Sequence, residues 1–130
     1  MCNIIEYNAG GRIIHIADIK KEYIDNIINA AGDCDYIDKV VLFGSCLEDR
    51  CKEDSDIDLA IFGNVSRGKC LTSNIYEEFL TRVFAYNNYC QAYDILYFKT
   101  GEKNNSSIIA DINRGEILYE TEHQVNHGAG

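Results

Sequence analysis

Apolar residues along this chain recur with two periods, and the two periods predict a mixture of strands and helices. Residues 3–16 read as a hairpin: Ile4-Ile5-Glu6-Tyr7, a turn at Asn8-Ala9-Gly10-Gly11, then Ile13-Ile14-His15-Ile16. A helix is predicted over about 19–31, with Asp18 as its N-cap and Ile19, Tyr23, Ile27 and Ala30 on one face. Gly32-Asp33 ends it. A buried strand follows at 39–43, then Gly44 and a short helix from Ser45. A second strand spans 56–62 and stops at Gly63-Asn64. A loop at 65–71 leads to a helix over about 73–87, striped by Ile75, Phe79, Leu80 and Val83. The third central strand is 91–98 and a loop covers 100–105. The last helix, 106–114, is closed by Gly115 at its C′ position, and Ile117-Leu118-Tyr119 adds a short edge strand. The polar stretch 121–130 reads as a flexible tail.

These elements predict an α+β fold: a small mixed β-sheet with helices packed against it, preceded by a β-hairpin. With 130 residues the chain accommodates one domain, spanning 1–120 with the hairpin at 1–17. Proline is absent, so glycine and Asn/Asp mark the turns. No apolar stretch reaches the roughly 18 residues of a membrane span, and the first residues lack the basic and apolar regions of a secretion signal. A net charge of −9 sets the surface against polynucleotide binding. The six cysteines are scattered without a C-x-x-C pair, which predicts free thiols in a reducing cytoplasm rather than a zinc site or disulfide framework.

The candidate chemistry lies between residues 41 and 58. Val41-Leu42-Phe43 runs into Gly44-Ser45, and Asp56-Ile57-Asp58 follows ten residues later. On a strand, Asp56 and Asp58 project to one side while Ile57, Leu59 and Ile61 pack on the other. Two carboxylates so close repel each other unless a cation neutralises them. Mg²⁺ suits such a pair, because it takes one or two carboxylates together with substrate phosphate oxygens. Asp94, beside Tyr93 and ahead of Ile95-Leu96-Tyr97-Phe98, is the candidate third acid, since an unpartnered carboxylate there is costly. Gly44 lets phosphates approach the backbone. Ser45-Cys46-Leu47-Glu48 also reads as a capping box, which is compatible with phosphate binding at the same turn.

Gly44-Ser45, ten residues, then Asp56-Ile57-Asp58 resembles the signature of the polymerase-β-like nucleotidyltransferases. Tyr93-Asp94-Ile95 and the ending Ile112-Asn113-Arg114-Gly115-Glu116-Ile117-Leu118-Tyr119-Glu120 are similar to the minimal nucleotidyltransferases, a likeness covering about residues 18–120. The resemblance implies the nucleotidyltransferase fold, with Gly44 and Ser45 holding a nucleoside triphosphate. Asp56, Asp58 and Asp94 would then be the catalytic acids and ligands of two Mg²⁺ ions, with Asp94 also the base for an acceptor hydroxyl. The implied reaction is in-line attack on the α-phosphate, with pyrophosphate leaving. The chain departs from the family at Leu47-Glu48-Asp49, where an Arg and a Gly usually follow the small residue after Gly-Ser. Glu48 and Asp49 are expected to weaken nucleotide binding unless Arg50 or Lys52 turns inward.

The family's small-molecule enzymes carry a second, helical domain for the acceptor, and this chain has no room for one. Minimal members pair instead with a helical RNase-type toxin, act as its antitoxin and in some cases transfer AMP from ATP to a tyrosine. The resemblance therefore implies a cytoplasmic, Mg²⁺-dependent antitoxin-type nucleotidyltransferase, with ATP as donor and a partner protein as acceptor. The alternatives are a catalytically weak or inactive module that neutralises its toxin by binding, and an antibiotic-type enzyme acting on a small molecule. Arg67-Gly68-Lys69 reads as a solvated loop rather than a basic lid, Arg114 as a helix C-terminal cation, and the His123–His127 pair as tail residues rather than a metal site.

Overall fold

The computed structural model describes residues 2–104 and 106–121. The predicted tail, the His123–His127 pair within it, and the last position of the 100–105 loop lie outside the described residues.

The N-terminal hairpin pairs β1 (Ile4–Ala9) with β2 (Arg12–Ala17). Its turn is tighter than the sequence suggested, because only Gly10 and Gly11 lie outside the ladder. Both have positive φ, the conformation of a two-residue turn matched to strand twist. The hairpin forms a sheet of its own. Its Ile14, Ile16 and Ala17 are buried, and the backbone N–H of His15 donates to Glu116 Oε2 at 2.7 Å.

The main sheet has four strands in the order β5-β4-β3-β6: β5 (Tyr93–Lys99), β4 (Ile57–Gly63), β3 (Ile37–Phe43) and β6 (Glu116–Glu120). β3 runs antiparallel to both β4 and β6, while β4 and β5 are parallel. The sheet is therefore mixed, with the predicted edge strand at its end. Against its inner face pack α1 (Lys21–Gly32) and α3 (Asn74–Ala85). Ile24, Ile27 and Ala31 of α1 and Phe79 and Val83 of α3 meet Leu42, Leu59 and Ile61 in one buried core. The outer face carries Val41, Phe43, Ala60 and Phe62 with Leu96 and Phe98, and takes Ile112 from α4 (Ile108–Asn113).

Several local expectations are corrected. Asp18 does not cap α1; it opens a 3-10 turn, Asp18–Lys20, and its carboxylate accepts from the backbone of Asn3 at 3.1 Å. Residues 65–71 are not all loop, because α2 (Arg67–Leu71) forms there with the Ser66 hydroxyl accepting from Lys69 N–H. The helix expected to reach 87 stops at Ala85; Asn87, Asn88 and Tyr89 follow with φ of 56°, 58° and 62°. Asparagine tolerates this left-handed conformation better than most residues, so the Asn-Asn pair gives a physical reason for the stop. Gly115 has no positive φ. It is small because a Cβ there would press on the carbonyl of Leu42, so α4 can sit close to β3. Among the described residues no helix is long and apolar enough to cross a membrane.

Candidate active site

Strand register places the acids. In the antiparallel ladder Asp58 lies opposite Phe43, the residue before Gly44, and in the parallel ladder it lies beside Asp94. Directly paired positions on neighbouring strands point to the same face, so both carboxylates stand on the outer face. The sequence favours this because Leu59 and Ile61, on the opposite side of β4, are fully buried in the inner core. Asp56 differs from expectation: β4 begins at Ile57, so Asp56 is an exposed residue of the preceding loop rather than a strand residue.

Electrostatics tie the three acids together. The pKa of Asp58 is raised above the ordinary carboxylate value, first by partial burial, then by the negative charges of Asp94 and Asp56. Gly44 completes the corner. Its φ is +83°, and a Cβ at that position would collide with Asp58 Oδ2. Both the backbone conformation and the approach of the carboxylate thus require glycine. Gly44–Leu47 form a 3-10 turn instead of the expected helix, and its N-cap position is Phe43, without a side-chain cap bond, rather than Ser45. Glu48 does not reach back to close a capping box; its carboxylate pairs with Arg50.

These groups line a cavity of about 580 Å³ whose walls include Gly44, Glu48, Arg50, Asp58, Asp94 and Arg114. That volume suits a drug- or nucleotide-sized ligand. Phe43, Leu47, Leu96 and Ile108 give it an apolar side. Of the candidate residues, the cavity brings together Gly44, Asp58 and Asp94, while Ser45 and Asp56 are adjacent in the chain but not in its wall. Two residues given lesser roles by the sequence face it. Arg50 borders it with an exposed side chain paired to Glu48, and Arg114 caps α4 at its C-terminal end with its guanidinium on Asp111 at 2.6 Å. The signal for Arg50 was the acidic run before it, which leaves an arginine as the nearest cation. Lys52 is absent from the cavity wall, and Arg67 and Lys69 sit past the far end of β4.

The donor set fits a hard divalent cation: carboxylate oxygens on neighbouring strands beside a cavity that admits further oxygens. Among the described residues no group of three or more His, Cys, Asp or Glu side chains is placed to hold a metal ion by itself.

A family model described as polymerase beta, nucleotidyltransferase matches residues 25–124. The chain belongs to this nucleotidyltransferase family, whose domains generally use Mg²⁺ and a nucleoside triphosphate. A search among curated proteins found no match.

Proposed function

We propose that this protein is a Mg²⁺-dependent nucleotidyltransferase of antitoxin type, transferring AMP from ATP to a hydroxyl of a partner protein. The observation that carries the reading is the side-by-side register of Asp58 and Asp94 at a cavity whose corner is Gly44. The triphosphate approaches the backbone at Gly44, where no side chain intervenes. Arg50 and Arg114 face its charge from the cavity wall. Asp58, Asp94 and Asp56 would supply carboxylate oxygens to Mg²⁺, which when bound would neutralise phosphate charge. Asp94 accepts the proton of the acceptor hydroxyl as the new O–Pα bond forms. The bond from the α-phosphorus to the bridging oxygen breaks, and pyrophosphate carries away that electron pair.

In this reading the acceptor is a protein, as the likeness to the minimal nucleotidyltransferases implies, and it approaches the Asp58–Asp94 side of the cavity. A helical RNase-type toxin suits this role, since a chain of net charge −9 attracts a basic partner. Incubation with ATP, Mg²⁺ and a candidate helical RNase-type partner, followed by intact-mass analysis, should find one AMP added to that partner. Addition that persists with Asp58→Asn, or none on any chain, sinks the catalytic reading. Glu48 in the cavity wall favours a second reading, a module that retains the fold and neutralises its partner by contact alone. Tight complex formation without any AMP transfer would select it.

A further inference from the structure

Lys20 is the most deeply buried charge among the described residues, 1% exposed in the turn before α1. Its ammonium has three donors and three acceptors: Glu53 O at 2.9 Å, Ser55 O at 2.8 Å and Gln91 Oε1 at 2.6 Å. All three are neutral oxygens. Gln91, itself 5% exposed, returns its amide N–H groups to Ser55 O at 2.9 Å and Ala92 O at 2.7 Å. The next backbone bond, Ile57 N–H to Ala92 O at 3.1 Å, begins the parallel ladder.

These bonds converge on the two chain segments that deliver the acids. Glu53 and Ser55 lie in the loop that ends at Asp56, and Gln91-Ala92 leads into Tyr93-Asp94. A buried ammonium is expensive unless fully bonded, so it persists only where it holds something in place. From Ile57 onward the ladders to β3 and β5 hold the strand; ahead of it the loop is held by side chains, Lys20 and Gln91 on Glu53 and Ser55 and the Cys46 thiol on Asp56 O at 3.4 Å.

We propose that Lys20, with Gln91, is a positioning residue that pins the 53–56 loop to the start of β5 and thereby sets Asp56 against Asp58 and Asp94. Its catalytic consequence rests on the nucleotidyl-transfer reading; its structural consequence does not. Lys20→Met alone strands Gln91 Oε1 and the Glu53 carbonyl, while Ser55 O keeps its bond from Gln91, and it destabilises the fold whatever its role. The decisive variant is the full chain carrying Lys20→Met with Gln91→Leu, which leaves no stranded side-chain amide and confines the lost bonds to the loop carbonyls of Glu53 and Ser55.

Amide hydrogen exchange followed by NMR should then be about tenfold or more faster at Ser55 and Ile57, with Ile24 and Ile27 in α1 unchanged. With ATP and the partner, kcat should fall about 100-fold while KM for ATP stays within about threefold. Exchange at 55–57 that matches the wild type, or that rises equally in α1, overturns the positioning role. So does a double variant with full kcat. If the wild type itself transfers no AMP, the transfer reading fails and the exchange result alone decides the role of Lys20.

Discussion

The two faces of the four-stranded sheet divide the labour of the molecule. On the inner face every strand contributes buried aliphatic or aromatic groups, and α1 and α3 cover them. On the outer face the same strands interrupt the apolar series with Asp58 and Asp94, and the six-residue α4 covers only part of it. One β4 strand serves both, with Leu59 and Ile61 facing inward and Asp58 and Ala60 outward. The lesson is that stability and chemistry are separated by strand alternation rather than by distance: residues adjacent in sequence belong to different problems.

Substitutions can break that separation, and the largest effect should come from the outer face. Asp58→Asn should lower the transfer rate about 10³-fold, roughly 4 kcal/mol of barrier. The same change should raise the unfolding midpoint in Mg²⁺-free buffer at neutral pH. The raised pKa means the fold disfavours the charged carboxylate, so the native state is penalised above the ordinary carboxylate pKa and relieved below it. A thermal melt and a transfer assay on one preparation check both halves; a lower midpoint would contradict the account.

Ile24→Ala, at the centre of the inner core, should do the opposite. It should cost about 3 kcal/mol in denaturant unfolding while the remaining folded protein retains its affinity for ATP. Gly44→Ala joins the two faces, since it strains a residue at φ +83° and pushes on Asp58. About 2 kcal/mol of lost stability together with impaired nucleotide binding is expected, measured by melting with and without MgATP. The smallest effect belongs to Arg114→Ala, which should weaken ATP binding about fivefold by calorimetry and leave stability unchanged.

The division also explains what could be read from the chain. The inner face was legible because packing imposes period: strands expected at 39–43 and 56–62 form at 37–43 and 57–63, and the stripes of α1 and α3 follow from their apolar positions. Gly44, Asp58 and Asp94 were legible because residues of unlike chemistry interrupt an apolar strand. Asp56 was misplaced by one step, since alternation gives no information about where a ladder starts. Arg50 depended on the path of a loop, and Lys20 on acceptors contributed 33, 35 and 71 positions away. A lysine before a helix reads as solvated until those carbonyls are in place. The helix at Arg67–Leu71 hid behind Gly68, which weakens any helical reading.

The central claim is that Asp58 and Asp94 form a metal-dependent nucleotide site, and calorimetric titration with ATP tests it most directly. With Mg²⁺ present the wild type should bind ATP, and at about 100 times Kd its stability should rise by about 2.7 kcal/mol. Chelation of Mg²⁺, or Asp58→Asn with Asp94→Asn, should abolish both signals. Equal binding with and without Mg²⁺, or no binding at millimolar MgATP, would contradict the account.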